Sequence, residues 1–596
     1  MGLDVAVPHS TLGTRHPALS ARALAWGRDD ARNLCLLLAG FALVLLLVPP
    51  MRAYPMSDDW AYTQSVERLL HLTYKPHEWT QPTALGHVVW GALFTLIFGS
   101  SFTALTAATL VISALCLLAF YALLRHLRVA PTPALLGTAL LGLNPLYVYL
   151  SYTFMTDITF MLYVLGACLC FVRWAQGRGD LYLILGSIGV GLAYLTRQHG
   201  IVLLLAMLFY LWWSRRLTWR SALLLCAIPL IMIGTYMVWE RTQPTTLVSA
   251  FVAATMQQVL GNPLMFVWAQ MQRSVLVLAL PGLCLLPLVA HFKPRKPLAA
   301  LPIFLFFVLF QVRSLSIYGT VFPPFGSLVD HGGLVMYDYD KAPIWTEHVW
   351  TLLGLFGAAI ISLYLAAILS EAWTWATKRA GNKHNSRLRP SSIVHRPSSL
   401  PDPAIIVYAT GLLLALLTFA SPYLFDRYIL PILPMMLLYP LRRMSAAQEK
   451  ENYELRITNY DQPKLNPHSA FRIPHSTILL LPIALFSLLA MRDYRAHSEA
   501  RWQAANSLVA QGATYAQVSA GFEWLSWHLF EEGVTLIRAS GDLTQAGQPY
   551  QVVLDPIYTV GEWPQAGYKQ IAAFPYDCWL CGGLTRPVLV HERVSR

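Results

Sequence analysis

The sequence predicts an all-α polytopic membrane protein of about 13 transmembrane helices, followed by a small α+β extracytoplasmic domain at its carboxyl end. Of the 596 residues, 56% are hydrophobic and only 12% are charged, whereas a soluble domain is about one-quarter charged. Apolar runs near the roughly 20 residues that a helix needs to cross a bilayer recur along the chain. The composition therefore indicates repeated membrane spans rather than one buried core.

Thirteen apolar runs are predicted to span the membrane. They are residues 33–50, 102–124, 133–150, 157–175, 181–196, 200–213, 220–239, 275–291, 298–313, 348–370, 404–420, 428–441 and 476–491. A further run, 84–98, is short and contains Gly86, His87 and Gly91, which favours an interfacial or re-entrant helix. No small-residue cleavage site follows the first run, so we expect a retained first span.

The basic clusters predict the orientation, because Lys and Arg collect in the cytoplasmic loops of membrane proteins. With a cytoplasmic amino terminus and a non-crossing segment 84–98, nearly every cluster falls on one side, beginning with Arg125/Arg128 and ending with Arg442/Arg443. The segments 51–101, 314–347, 421–427 and 492–596 then lie outside. Net charge is +12. The sequence contains no basic stripe with interleaved aromatic residues, so this charge does not indicate nucleic acid as a partner.

Three regions follow from this orientation: a cytoplasmic segment 1–32, a transmembrane domain 33–491 with outer loop 51–101, and an extracytoplasmic domain 492–596. Two polar cytoplasmic insertions near 380–402 and 444–475 are predicted to be disordered. In the tail, alternation predicts strands at 551–554 and 587–590, and helical spacing predicts a helix at 498–511. The pair Cys578 and Cys581 is compatible with a disulfide or two free thiols, and is weak evidence for a metal.

Two acidic sites lie at the outer ends of predicted spans. Asp58 and Asp59 follow the first span, and Asp157 begins the fourth. The simplest interpretation of each is a solvated loop or a helix N-cap, since an anion at a helix start gains about 0.3–1 kcal/mol. Placing a carboxylate at a membrane face also costs free energy unless the group is solvated, paired with a cation or part of a functional site. Two such sites on one face make a shared polar pocket more plausible.

Two arginines lie on the same predicted face. Arg197 interrupts a long apolar stretch, and Arg427 follows Asp426 in the turn between two late spans. Snorkelling to lipid headgroups would explain Arg197, and a local charge balance with Asp426 would explain Arg427. The alternative is that both hold a phosphate, while a carboxylate accepts a proton from an acceptor as general base. The combination suits a reaction on a membrane-held phosphate ester.

With these motifs the chain resembles the GT-C superfamily of membrane glycosyltransferases, in the branch of the protein O-mannosyltransferases and the lipid A aminoarabinose transferase. The resemblance covers residues 33–441, and its motifs occur in the family's order. They are Asp58-Asp59 followed by Tyr62, the stretch from Gln81-Pro82 to Phe98-Gly99, Asp157, Gly191-Leu192-Ala193-Tyr194-Leu195-Thr196-Arg197, and Arg427-Tyr428 with Pro431 and Pro434.

The resemblance implies a GT-C-like fold in a plasma membrane and an inverting transfer from a polyprenyl-phosphate sugar on the outer face. It implies Asp58 or Asp59 as general base, assisted by Asp157. The donor phosphate would be bound by Arg197 and Arg427, with Gln198, His87 and Tyr428 as helpers. Some relatives use a divalent metal such as Mg²⁺ or Mn²⁺ at the acidic loop and others do not, so the metal stays open. Membrane lipids are implied partners, and the acceptor is a protein, a lipid or a glycan.

A transporter or flippase of a lipid-linked polar substrate is the main alternative, because broken helices and intramembrane charges also fit that class. Such proteins commonly contain an internal repeat, which this sequence lacks. A scaffold that presents the tail is a third interpretation, and it would tolerate loss of all the charged positions.

Overall fold

The structure is a computed structural model that describes residues 26–594, except residues 81–82, 293, 295–296, 322–327, 335–340, 387–400, 422–423, 459–477 and 542–544. Most of segment 1–32, Gln81-Pro82 of the outer-loop motif and the larger parts of both predicted insertions therefore lie outside the described residues.

Helices form most of the described chain. They are α1 (Arg28–Leu47), α2 (Asp59–Leu70), α3 (Leu85–Phe98), α4 (Phe102–His126), α5 (Pro131–Gly142), α6 (Pro145–Ser151), α7 (Thr156–Ala175), α8 (Leu181–Tyr194), α9 (Ile201–Trp213), α10 (Trp219–Glu240), α11 (Leu247–Gly261), α12 (Pro263–Cys284), α13 (Leu301–Tyr318), α14 (Glu347–Ser386), α15 (Ala404–Ala420), α16 (Leu433–Thr458), α17 (Leu480–Ala510) and α18 (Phe522–Ser540).

A mostly helical, multi-pass membrane protein is confirmed, but the number of clear spans is smaller than the sequence predicts. Each of the thirteen predicted runs overlaps a helix, yet among the described residues seven helices are long and apolar enough to cross a membrane. An eighth span results if α5 and α6, bent by 63°, count as one. The bend occurs where Asn144 caps α6 ahead of Pro145, its oxygen accepting from the Leu146 N–H at 2.9 Å.

Two further expectations need correction. Helix α16 continues to Thr458, so residues 444–458 are helical where the sequence predicts disorder, because this stretch is rich in Ala, Gln, Glu and Lys, which are strong helix formers. The predicted strand 551–554 is wrong. A 3₁₀ helix covers Pro549–Val552 instead, since proline fixes φ for a helical turn and donates no hydrogen bond to a sheet.

The small α+β region at the carboxyl end is confirmed. Its four-stranded sheet has the order β3 (Val518–Ser519), β4 (Tyr558–Gly561), β6 (Leu584–Arg593) and β5 (Tyr568–Cys578). A separate antiparallel pair joins β1 (Val329–Asp330) to β2 (Gly333–Leu334). Strand β6 contains the predicted strand 587–590. Cys578 and Cys581 form a disulfide where β5 turns into β6.

No linker separates this tail from the last predicted span, because α17 runs unbroken through both and contains the predicted helix 498–511. Helix α18 then packs back onto α2. The ring of Phe530 lies 4.6 Å from that of Trp60 between centroids. The tail is thereby docked against the loop that carries the acidic pair.

Helices α12 and α14 approach each other closely at Gly282 of α12 and Gly357 of α14. A methyl group added to Gly357 would lie 2.2 Å from the Ala279 carbonyl oxygen, so only glycine allows this contact. We expect Gly357→Val to push the helices apart and destabilise the protein by about 1–3 kcal/mol, measured as a lower Tm in detergent. Gly234→Ala is the matched control, since nothing lies within 4 Å of its added methyl group. Equal Tm values for the two variants would contradict the prediction.

Candidate active site

Asp58 lies directly before α2, near the start of the predicted outer loop 51–101, and its side chain is almost buried. One carboxylate oxygen accepts a hydrogen bond from Trp79 Nε1 at 2.9 Å. The other accepts from Arg427 Nη1 at 3.3 Å. These contacts point the carboxylate towards a cavity, and they join the first outer loop to the turn between α15 and α16.

Asp59 faces the opposite way, into the protein. It forms an ion pair with Arg52 and accepts the Phe154 N–H at 2.7 Å. Burial raises the pKa of Asp59 to about 6, and the Arg52 guanidinium opposes that rise. The side chain does not line the cavity. It instead connects the start of the outer loop to the segment that precedes α7.

Because Asp59 is buried and paired with Arg52, we expect it to stabilise the fold. The Asp59→Asn variant leaves Arg52 buried without its counter-ion, which we expect to cost about 3–5 kcal/mol. The cost would appear as a lower Tm and a smaller yield of monodisperse protein from detergent. Asp29→Asn is the control, because Asp29 forms an exposed pair with Arg32, and we expect no change in its Tm. A wild-type Tm for Asp59→Asn would show that the pair with Arg52 is unimportant.

Arg197 lies where α8 ends and pairs with Asp157 at the start of α7. Its Nη2 atom is 2.7 Å from Asp157 Oδ2, and its Nε atom donates to Thr156 Oγ1 at 2.9 Å. The guanidinium carbon lies 5.3 Å from the ring centre of Tyr428. Arg427 lies 5.5 Å from the same ring, so Tyr428 lies beside both cations.

The Asp426 carboxylate is held mainly by backbone N–H groups, and the charge of Arg427 has a smaller effect on it. Its carboxylate accepts backbone N–H groups of Leu328, Val329 and Arg427 at distances of 2.7–3.0 Å. Burial raises the pKa of Asp426 to about 6, and these N–H groups oppose the rise. Asp426 thus shapes the turn, and the guanidinium of Arg427 is directed to Asp58.

A cavity of about 810 Å³ brings these groups together, a size within the ordinary range of ligand sites. Five of the predicted site residues line it, namely Asp58, Arg197, Gln198, Arg427 and Tyr428. Asp157 lies behind Arg197. His87 lies deeper, stacked 4.0 Å from the Phe154 ring and 2.8 Å from Thr159 Oγ1. The side chain of His87 is fully buried and does not line the cavity.

The structure adds lining residues that the sequence did not indicate. Helix α11 contributes Ser249 and Phe251, the end of α10 contributes Glu240, and the tail contributes Gln545 and Gln548. None of these belongs to a motif. Trp79, which belongs to none of the motifs either, lines the cavity and donates a hydrogen bond to Asp58.

The residues do not form an evident metal centre. Within the described ranges, no group of three or more His, Cys, Asp or Glu side chains could hold a metal ion. The two acidic sites are instead each paired with an arginine, Asp58 with Arg427 and Asp157 with Arg197.

Comparison with known proteins gives one family match. Residues 86–239 match the family model described as dolichyl-phosphate-mannose-protein mannosyltransferase, which agrees with the resemblance to the GT-C glycosyltransferases over that segment. The matched segment includes His87, Asp157, Arg197 and Gln198. A search of curated proteins finds no match to the sequence.

Two solved structures are similar to the chain at low identity. The archaeal oligosaccharyltransferase AglB from Archaeoglobus fulgidus, in complex with an inhibitory peptide and a dolichol-phosphate, is 14% identical, with 90% of this chain and 70% of that chain covered and a TM-score of 0.42. ArnT from Cupriavidus metallidurans, bound to undecaprenyl phosphate, is 14% identical, with 94% and 98% covered and a TM-score of 0.36.

Proposed function

We propose that this chain is a GT-C membrane glycosyltransferase dependent on a lipid-phosphate sugar, and that it uses Asp58 to activate an acceptor on the outer face of the membrane. Arg197 and Arg427 hold the phosphate of a polyprenyl-phosphate sugar, and the sugar is transferred with inversion. One observation carries the proposal: a single cavity is lined by Asp58, Arg197 and Arg427, which come from three separate parts of the chain.

The chemistry requires a base and a phosphate clamp on opposite sides of the sugar. The acceptor oxygen forms a bond to the anomeric carbon while its proton passes to the Asp58 carboxylate. The bond from that carbon to the phosphate oxygen breaks, and its electron pair leaves with the polyprenyl phosphate. The two guanidiniums stabilise the charge that develops there.

The ion pair between Asp58 and Arg427 gives the donor a way to prepare the base. A phosphate that binds Arg427 competes with the carboxylate for the guanidinium, since both are anions that arginine holds through its N–H groups. The carboxylate then keeps its hydrogen bond from Trp79 and turns its second oxygen to the acceptor. Donor binding would in this way precede activation of the acceptor.

Asp157 has a supporting role in this scheme. Its side chain is fully buried and pairs with Arg197 at 2.7 Å, and it does not line the cavity. Together with Thr156 it fixes the guanidinium so that the remaining N–H groups face the donor. We therefore assign Asp157 to the orientation of Arg197, and Gln198 and Tyr428 to contacts with the donor.

A small crevice of about 30 Å³ adjoins the cavity, and we place the lipid part of the donor on this side. Arg197 and Tyr428 line both spaces, and Phe160, Leu414 and Ile432 continue the crevice between α7 and α15. A phosphate at Arg197 would thus lie where polar and apolar surfaces meet, as a polyprenyl phosphate requires. The acceptor would approach from the other side, past α11 and the tail residues Gln545 and Gln548.

The test uses the purified full-length protein in detergent or nanodiscs, with radiolabelled polyprenyl-phosphate sugars and envelope fractions as the acceptor source. The proposal expects release of polyprenyl phosphate together with a labelled acceptor. Heat-treated protein is the background control. Passage of intact donor across proteoliposome membranes, without transfer from any donor, would support a transporter and overturn the proposal.

A further inference from the structure

Helix α18 of the tail packs against the loop that carries Asp58. The ring of Phe522 lies 5.7 Å from that of Trp79, and the ring of Phe530 lies 5.9 Å from it. Because Trp79 donates a hydrogen bond to Asp58, these contacts restrain one partner of the proposed base. The tail therefore contacts the site in two places: α18 packs against Trp79, and Gln545 and Gln548 line the cavity.

Glu523, in the first turn of α18, makes a second and more direct connection. Its carboxylate is buried and accepts hydrogen bonds from the Ser57 N–H at 3.3 Å, from the Tyr494 hydroxyl at 2.9 Å and from Arg501 Nη2 at 2.8 Å. Arg501 is itself 2% exposed and supplies the balancing charge. A buried polar network with this many partners fixes the groups that it joins.

The backbone of Ser57 shows why the connection matters. Ser57 has a φ of 56°, in the left-handed region that residues other than glycine adopt infrequently. Such a conformation persists only where its surroundings hold it. Ser57 immediately precedes Asp58, so the turn at Ser57 sets the direction in which the Asp58 side chain leaves the backbone.

The start of α18 is built to place Glu523 beside Arg501. Gly521 has a φ of +86°, and a methyl group added there would lie 2.5 Å from Arg501 Nη1. Glycine at this position lets the guanidinium lie flat against the backbone. The carboxylate two residues later then meets both the arginine and the Ser57 N–H.

We propose that Glu523 is a positioning residue for Asp58: by holding the Ser57 N–H it fixes the turn that aims the base into the cavity. The tail is then part of the catalytic machinery rather than an appended domain. This inference rests on the proposed function of Asp58 as the base, and Glu523 itself touches no substrate.

The experiment compares Glu523→Gln with Asp493→Asn in the full-length protein. Both positions are buried carboxylates of the same region, but Asp493 accepts the N–H groups of Trp579 and Leu580, each at 2.8 Å, away from the acidic loop. A displaced base should cost about 10–100-fold in kcat with little change in KM for the donor, because the phosphate clamp is untouched. Asp493→Asn should keep the wild-type kcat per folded molecule.

Rescue and folding controls keep the outcome clear. Glu523→Asp keeps the charge and should recover part of the lost kcat. If Glu523→Gln does not fold, Tyr494→Phe tests the inference instead. This substitution removes one hydrogen-bond donor to the Glu523 carboxylate without removing a charge. We expect kcat to fall again while KM for the donor stays constant. An unchanged kcat in the folded variant, or an equal loss in Asp493→Asn, overturns the inference. An inactive wild-type protein would instead sink the proposed function, so the two failures are distinguishable.

Discussion

Asp58→Asn is expected to abolish sugar transfer while the protein still folds, because Arg427, unlike Arg52, lines the cavity, where water can solvate the guanidinium that loses its partner. The amide has nearly the shape of the carboxylate and can still accept from Trp79, but it cannot take the acceptor's proton. Loss of a general base costs about 10²–10⁴-fold in rate. Because the donor phosphate no longer competes with a carboxylate for Arg427, KM for the donor should not rise, and the loss should appear in kcat. The measurement is single-turnover transfer of labelled sugar by purified protein at saturating donor.

A matched control is Asp402→Asn. Asp402 also pairs with an arginine, Arg442, at 2.6 Å, but the pair lies outside the cavity lining and is partly exposed. We expect its activity to equal that of the wild type. Full activity in Asp58→Asn would remove Asp58 from the mechanism. Inactivity with a strongly lowered Tm would mean that the variant reports folding instead of chemistry.

The two adjacent aspartates show where sequence reasoning reached its limit. Both follow a predicted span and precede a predicted helix, so either could be the base on sequence grounds alone. They differ through their partners: Asp59 meets Arg52, 7 positions away, and the Phe154 N–H, whereas Asp58 meets Arg427, 369 positions away. No local pattern encodes the contacts with Phe154 and Arg427, because the fold decides which side chain faces the cavity.

The helices themselves were predictable to a large extent, since each predicted span overlaps a helix. Arg197 and Arg427 also lie between α-helices, as the sequence predicts. The number of helices that are long enough to cross a membrane was not predictable, because an apolar run does not show where a helix ends. Asn144 and Pro145, for example, divide one predicted span into α5 and α6. The contribution of Gln545 and Gln548 was also invisible, since two polar residues in a turn carry no periodic signal.

The second large effect is expected at Arg427, where Arg427→Gln should weaken donor use as well as slow the reaction. The substitution removes a cation from the phosphate and leaves the Asp58 carboxylate without its ion-pair partner. Loss of one group that stabilises the leaving charge costs about 10²–10³-fold in kcat, and KM for the donor should rise because ground-state binding is lost too. Arg427→Lys keeps the charge without the two-pronged geometry of a guanidinium, so it should recover only part of the activity.

The control for Arg427 is Arg313→Gln. Arg313 also lies near an aromatic ring, 5.8 Å from the centre of Trp268, but it does not line the cavity. Both variants lose one positive charge, so a general effect of charge on the membrane surface would change them equally. Binding of polyprenyl phosphate without sugar separates the two steps, since Arg427→Gln should weaken it and Asp58→Asn should not. Equal binding in the Arg427 variant and the wild type would place the phosphate elsewhere and leave Arg197 as the only arginine in the clamp.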